Sequence, residues 1–420
     1  MVRSLLTLCA LTLCALGGAL CLAGLTAPVA YAQGADQETI QRLRDEGVAL
    51  SDRGKLLEAR AKFKEALDLD GEHADTWFHY GQTFQRRGKL DEAIKHYSKA
   101  IFLLSGHHKA FHNRGVAYWY QGKLEDALAD VDEAVRLKPK YYEAWNTRAS
   151  LLTNLGRAEE AMEDAGTAIE LVERNNDRRK KPRFYVAAYH TRAVAGIRIG
   201  ELAQAKSDLK LATEKAPEQA AYQFRLAVTL FRLGEQKEAV ASYDAALAIT
   251  KDTVTASGKR PNPLSNYLRA RCIAGRGQAK FFLGDVKGAL ADLEASKKFT
   301  PDHAYTPLWI HGLGGTATDL ERLSKHAYTK EGDKWIQQIL LLYTGKLSEA
   351  ELLKLAESAE DDDSKAQRRL QAHCYLALLA ERAKDLEKAK AHYEKVVAEK
   401  VLGYTEHWWA KLRLEALKGK

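Results

Sequence analysis

The chain returns to one short motif at a fixed interval, and that interval restricts the fold more than any other feature. Gly54, Gly88, Gly122 and Gly156 stand 34 residues apart, and each opens a near-copy of one hexapeptide: Gly54-Lys-Leu-Leu-Glu-Ala59, Gly88-Lys-Leu-Asp-Glu-Ala93, Gly122-Lys-Leu-Glu-Asp-Ala127 and Gly156-Arg-Ala-Glu-Glu-Ala161. A period of this size marks a repeat protein. Gly200, Gly234 and Gly284 follow after 44, 34 and 50 residues, as if insertions of 10 and 16 residues interrupted the array, and Gly345 and Lys384 continue it more loosely. Each repeat reads as a helix hairpin. Glycine closes the first helix because it adopts the left-handed conformation without a Cβ penalty, and acidic residues then meet the positive dipole end of the second. The small residue five positions on (Ala59, Ala93, Ala127, Ala161, Ala205, Ala239, Ala289, Ala350, Ala389) lets the two helices approach closely.

A stack of hairpins is one quasi-linear body, which overrides the two or three domains that 420 residues would otherwise suggest. With 46% hydrophobic residues the chain can bury a large core. Its 64 basic and 56 acidic residues are interspersed along the helices and leave a formal charge of only +8. That balance describes a solvated surface rather than a nucleic-acid footprint, so no nucleic-acid partner is expected.

Residues 1–32 differ from the rest. Arg3 is the only charge, Leu5 to Leu25 is unbroken Leu, Ala, Cys, Thr and Gly, and Ala30-Tyr31-Ala32 precedes Gln33 with the small-x-small pattern of a signal-peptidase site. A signal peptide cleaved after Ala32 is expected, followed by a short linker over 33–39. The protein is then exported and periplasmic or cell-envelope associated in a bacterium; a membrane is involved only if the N-terminal segment is retained as an anchor. Cys9, Cys14 and Cys21 fall in the signal, leaving Cys272 and Cys374 in different repeats. Repeats touch only their neighbours, so a disulfide between these two is not expected.

From residue 40 the repeats run in order, seven of them over 40–303, with insertions near 175–185 and 251–269. Apolar and small residues recur at helical spacing: Trp77, Tyr80, Gly81, Phe84, Ala93, Tyr97 and Ala100 in one, Phe111, Gly115, Tyr118, Ala127, Val131, Ala134 and Pro139 in the next. This pattern resembles the tetratricopeptide repeat. The resemblance implies an all-α, right-handed superhelical solenoid of about nine helix hairpins. Residues 304–403 read as divergent repeats, and the segment 404–420, with Tyr404-Thr-Glu-His-Trp-Trp-Ala-Lys-Leu-Arg-Leu414, as a C-terminal capping helix. The C-terminal part also resembles NlpI-type bacterial lipoproteins, through Trp335, Leu342-Tyr343-Thr344-Gly345, Cys374-Tyr-Leu-Ala377 and Glu406-His407.

Motifs that carry chemistry are missing from the sequence. There is no His-Glu-x-x-His, no Gly-x-Ser-x-Gly, no phosphate-binding glycine loop and no Cys-x-x-Cys. The protein is therefore expected to be neither an enzyme nor dependent on a cofactor. A second reading is a ligand- or metal-handling envelope protein, or a cryptic enzyme. It would use the cluster of His79, His108 and His112, the last two one helical turn apart, or the irregular region 305–328. The basic run Arg178 to Arg183 reads as a solvated loop, with contact to anionic envelope polymers as the functional alternative.

By resemblance, the first helix of each hairpin lines a concave, protein-binding groove. The residues that this places there are Phe78, Gln82, Arg86, Lys109, His112, Trp119, Tyr120, Asn146, His190, Arg198, Phe224, Phe231, Arg232, Phe281 and Trp335. Aromatic and arginine side chains are those enriched at protein-binding hot spots. The expected function is thus a non-catalytic exported scaffold or adaptor for protein or peptide partners, and the NlpI likeness points to organisation of cell-envelope hydrolases or proteases. Capture of a terminal carboxylate is not expected, because Phe78, Gln82, Glu143 and Thr147 stand where the family's carboxylate clamp needs Lys, Asn and Arg.

Overall fold

The computed structural model describes residues 26–174, 182–256, 263–300, 305–316, 320–325 and 331–418. The apolar run up to residue 25 and the basic run at 178–181 fall outside them. No helix among the described residues is long and apolar enough to cross a membrane. The chain divides into two compact units, residues 1–139 and 140–420.

Unit 1 consists of α1 (Thr26–Asp52), α2 (Leu56–Leu69), α3 (Ala74–Gln85), α4 (Leu90–Leu103), α5 (His108–Tyr120) and α6 (Leu124–Leu137). These form three hairpins, α1/α2, α3/α4 and α5/α6. The segment 33–39 lies within α1 as helix. Unit 2 continues with α7 (Tyr142–Asn154), α8 (Ala158–Arg174), α9 (Pro182–Ile199), α10 (Leu202–Lys215), α11 (Ala220–Arg232), α12 (Gln236–Ala256), α13 (Pro263–Phe282) and α14 (Val286–Ser296). Two short helices, α15 (Tyr305–Gly312) and α16 (Leu320–Ser324), precede α17 (Glu331–Tyr343), α18 (Glu349–Ala356), α19 (Asp362–Arg382), α20 (Leu386–Ala398) and α21 (Thr405–Leu417). In both units the second helix of a hairpin packs on the first helix of the next, and successive first helices also touch: α1, α3 and α5 in unit 1, and α7, α9, α11 and α13 in unit 2. The surface formed by first helices is called the inner face below.

The turns are built as the motif requires. Gly54, Gly88, Gly122, Gly156, Gly200, Gly234, Gly284 and Gly345 all have φ between +70° and +88°. At Gly122 the Lys123 N–H donates to Tyr118 O (3.0 Å) and the Gly122 N–H to Trp119 O (2.9 Å), which satisfies carbonyls that the end of α5 would leave unpaired. A Cβ at Gly122 would meet no atom within 4 Å, so the demand for glycine is one of backbone conformation alone. Gly122→Val is expected to lose about 1–3 kcal/mol through left-handed strain, read as a shift in urea midpoint; an unchanged midpoint would contradict this account of the turn.

Close approach is the second requirement. Ala59, Ala93, Ala127, Ala161, Ala205, Ala239, Ala289 and Ala389 are all fully buried. Opposite Ala127, a Cβ on Gly115 would lie 2.8 Å from Val131 Cγ2 and 2.9 Å from Ala127 O. Ala350 departs from the series and is exposed. Here Ser348 takes the N-cap and forms a reciprocal capping box with Glu351. The helix therefore starts two residues later than after the other turns, and Leu352 instead of Ala350 enters the core.

An ionic clamp recurs on the same frame. Arg114, Arg148, Arg192 and Arg276 lie eight residues before a turn glycine and bind Asp130, Asp164, Asp208 and Asp292 eight residues after it through paired N–H···O bonds of 2.5–2.8 Å. The first hairpin inverts the charges, with Lys62 Nζ 3.5 Å from Glu46. Each clamp joins the two helices of a single hairpin. Cys272 and Cys374 are both free and buried.

Candidate functional site

On unit 1 the inner face is open at its edge and closed at its centre. Phe78 is buried, its ring 5.0 Å from His79, 4.9 Å from His107 and 5.9 Å from Tyr97, so it serves as core. Gln82 accepts a hydrogen bond from His79 Nδ1 (3.0 Å), and the exposed Arg86 donates to Ser51 Oγ (2.9 Å) at the end of α1. Lys109 is exposed, and His112 and Trp119 are half-buried. Tyr120 is 74% exposed, the largest ring on the inner face of this unit to stand so far into solvent.

The imidazoles here have structural duties. His107 caps α5, its Nδ1 accepting from the Ala110 N–H (3.2 Å), with Nε2 3.3 Å from Asp75. Burial lowers the pKa of both His79 and His107, so neutral rings are favoured. Among the described residues no group of three or more His, Cys, Asp or Glu is arranged to hold a metal ion. His79, His108 and His112 are thus not gathered into such a group. In the region 305–328, as far as it is described, Trp309 and Ile310 belong to the unit 2 core, and Tyr305, Thr306 and Trp309 line a cavity.

On unit 2 the corresponding residues meet the chain's own C-terminal helix. Trp409 on α21 stacks on Phe281 (5.2 Å between centroids, 27° between planes), sets its ring against Phe282 (4.7 Å) and Trp309 (4.5 Å), and donates from Nε1 to Tyr393 Oη (3.3 Å). Phe231 packs on Phe282 at 5.8 Å. Arg232 donates to Ile197 O (3.0 Å) and Gly403 O (3.1 Å), with its guanidinium 5.5 Å from the Trp408 ring. Burial above all lowers its pKa to about 10. Arg232 and Phe281 therefore hold α21, Phe231 supports Phe282 behind them, and Phe231 and Arg232 are buried in this arrangement. Trp335 also lies in this core. The helix packs on α20 as a cap should, and it also reaches back across α13 to α11. Trp408 and Trp409 are buried by these contacts, and burial of such large rings is strongly favourable.

A family model described as tetratricopeptide repeat matches residues 44–107, 112–176 and 191–252. Over these residues the chain is built of tetratricopeptide repeats. Its repeats are similar to several solved structures. A tetratricopeptide repeat protein from Parabacteroides merdae shares 18% identity over 72% of this chain and 99% of that one, with a TM-score of 0.42. YrrB, described as a TPR protein with an unusual peptide-binding site, shares 22% identity over 45% and 93%, with a TM-score of 0.37. PilW, a widely conserved type IV pilus biogenesis factor, shares 16% over 54% and 94%, with a TM-score of 0.45. The family match ends at 252, so the NlpI likeness of the C-terminal part rests on the residues quoted for it.

The remaining inner-face residues of the tetratricopeptide array are Asn146, His190, Arg198 and Phe224, all on unit 2. Asn146 and His190 are half-buried, and Asn146 Oδ1 and His190 Nε2 are buried without a hydrogen-bond partner. Phe224 is 5% exposed and Arg198 is exposed. Arg225, absent from the expected groove, lies beside them. Its place in the repeat differs from that of the clamp arginines by one residue, a signal present in the sequence once the clamp spacing is known.

Proposed function

We propose that this tetratricopeptide-repeat protein is an exported, non-catalytic adaptor that holds a segment of a partner protein on the inner face of unit 1. The reading is carried by Tyr120, exposed beside the half-buried Trp119 and within a face that also carries Arg86 and Lys109. A rigid aromatic standing in solvent next to cationic side chains is the kind of anchor that dominates protein interfaces. Tetratricopeptide repeats bind protein or peptide partners, and on unit 2 the end of the corresponding face around Arg232 and Phe282 is taken up by α21. Export follows from the N-terminal segment, and cell-envelope hydrolases or proteases are the partners that the NlpI likeness favours.

A photo-crosslinking residue at Tyr120 tests this. It is expected to give discrete adducts with envelope proteins, and these should disappear in Trp119→Ala. The control position is Phe102, on the second helix α4 and 80% exposed. Identical adducts from both positions, or none from Tyr120, would remove the assignment.

A further inference from the structure

Unit 2 carries a group of arginines that its own carboxylates do not neutralise. Arg225 and Arg271 flank one aromatic ring, their guanidinium carbons 5.9 Å and 4.8 Å from the Phe224 centroid, and Arg271 also lies 5.6 Å from the Tyr267 ring. Among the described residues neither donates a hydrogen bond or pairs with a carboxylate, and neither does Arg198. Six other arginines make the contrast. Arg114, Arg148, Arg192 and Arg276 each bind an aspartate through two nitrogens, and Arg369 and Arg413 likewise bind Glu399 and Glu381. Burial, and then the charges of Arg271 and Arg198, hold the Arg225 guanidinium below its usual pKa. Next to it, burial and Arg225 push the His190 imidazole down to about 4, so that ring stays neutral. Like charges left together without a counter-ion destabilise a fold, and they persist most readily where an anion is to be bound.

Arg271 also lines an open cavity of about 430 Å³, within the range of roughly 300–1,000 Å³ that small-molecule sites occupy. Phe224, Tyr267, Trp309 and Tyr404 supply aromatic walls. The acidic side chain in the lining is Glu406, which accepts a hydrogen bond from Tyr375 Oη (3.3 Å). Burial raises its pKa, which favours the uncharged carboxyl and weakens repulsion of an incoming anion.

We propose that Arg225 and Arg271, which share the Phe224 ring, bind the carboxylate or phosphate of a small organic anion whose apolar body enters the aromatic cavity that Phe224 and Arg271 line. This site is separate from the face of unit 1 and stands or falls without it. The guanidinium pair offers planar forks that match either anion, and the rings take the body.

The test is calorimetric titration of the full chain at fixed ionic strength with phenylacetate and phenyl phosphate, against acetate, inorganic phosphate and benzyl alcohol. At least one aromatic anion is expected to bind saturably, and the comparison of the two shows whether carboxylate or phosphate is preferred. The controls that lack the ring or the charge should bind about tenfold more weakly or worse, and Arg225→Gln and Arg271→Gln should each weaken the aromatic anion by about tenfold or more. Thermal melting of the unliganded variants supplies an independent readout. Arg225→Gln should raise the melting temperature by relieving repulsion, whereas an arginine with an ion partner would lower it when removed. Absence of saturable binding by both aromatic anions, affinities unchanged by the substitutions, or a lowered melting temperature in Arg225→Gln would each overturn the proposal.

Discussion

Trp409→Ala is expected to destabilise unit 2 by about 3–5 kcal/mol, the range for removal of a large buried aromatic. The side chain is fully buried, and its ring is held by Phe281, Phe282 and Trp309 together. Truncation would remove the stacking area, leave a cavity among those rings and orphan the Tyr393 hydroxyl that Nε1 now meets at 3.3 Å. Equilibrium urea unfolding measures the loss. Trp409→Phe, which keeps most of the apolar area, should recover more than half of it. A loss below about 1 kcal/mol would mean that α21 does not pack on the inner face as described.

Asp208→Ala is the second large effect. The Asp208 side chain is 2% exposed, and it accepts from Arg192 Nε and Nη2, both at 2.8 Å, and from Gln204 Nε2 at 2.9 Å. Its removal leaves Arg192, whose side chain is 22% exposed, without a carboxylate partner, and breaking a buried pair in this way costs about 3–5 kcal/mol. The double change Arg192→Met with Asp208→Leu should be close to neutral, because two apolar side chains replace the whole pair and no charge is stranded. If the single and double variants lost the same stability, the charge argument would fail and only packing would remain. Arg192 also lies 5.3 Å from the Tyr189 ring, so some loss of packing is expected in the double variant.

The turns were legible because their causes are local. A glycine at positive φ and an alanine five residues later are separate demands, and both leave their mark within one hexapeptide. Ala350 misleads for an equally local reason: Gly345-Lys-Leu-Ser-Glu-Ala350 contains Ser348, and the Ser348–Glu351 capping box shifts the helix start. The Arg/Asp clamp is present in the sequence at constant spacing, yet isolated charges on helices read as solvated surface until geometry shows that Asp164 and Asp208 are buried. The groove residues separate along the same line. Tyr120 stands open, whereas Arg232 and Phe281 meet a segment far away in the chain, the bond from Arg232 to Gly403 joining residues 171 apart. Nothing near Arg232 announces that partner. The one hint was at the other end, where Trp408 and Trp409 place two large adjacent rings on one short terminal helix.

The C-terminal helix also has a mechanical meaning. A row of hairpins that touch only their neighbours behaves as a spring, with soft bending modes that widen and narrow its inner curve. In unit 2 the tie from Arg232 to Gly403 and the ion pair between Arg413 and Glu381 brace that curve from within, as a strut braces an arch. Bending there must first break buried contacts. Unit 1, among its described residues, consists of three hairpins without such a brace, so its inner curve keeps its elastic freedom.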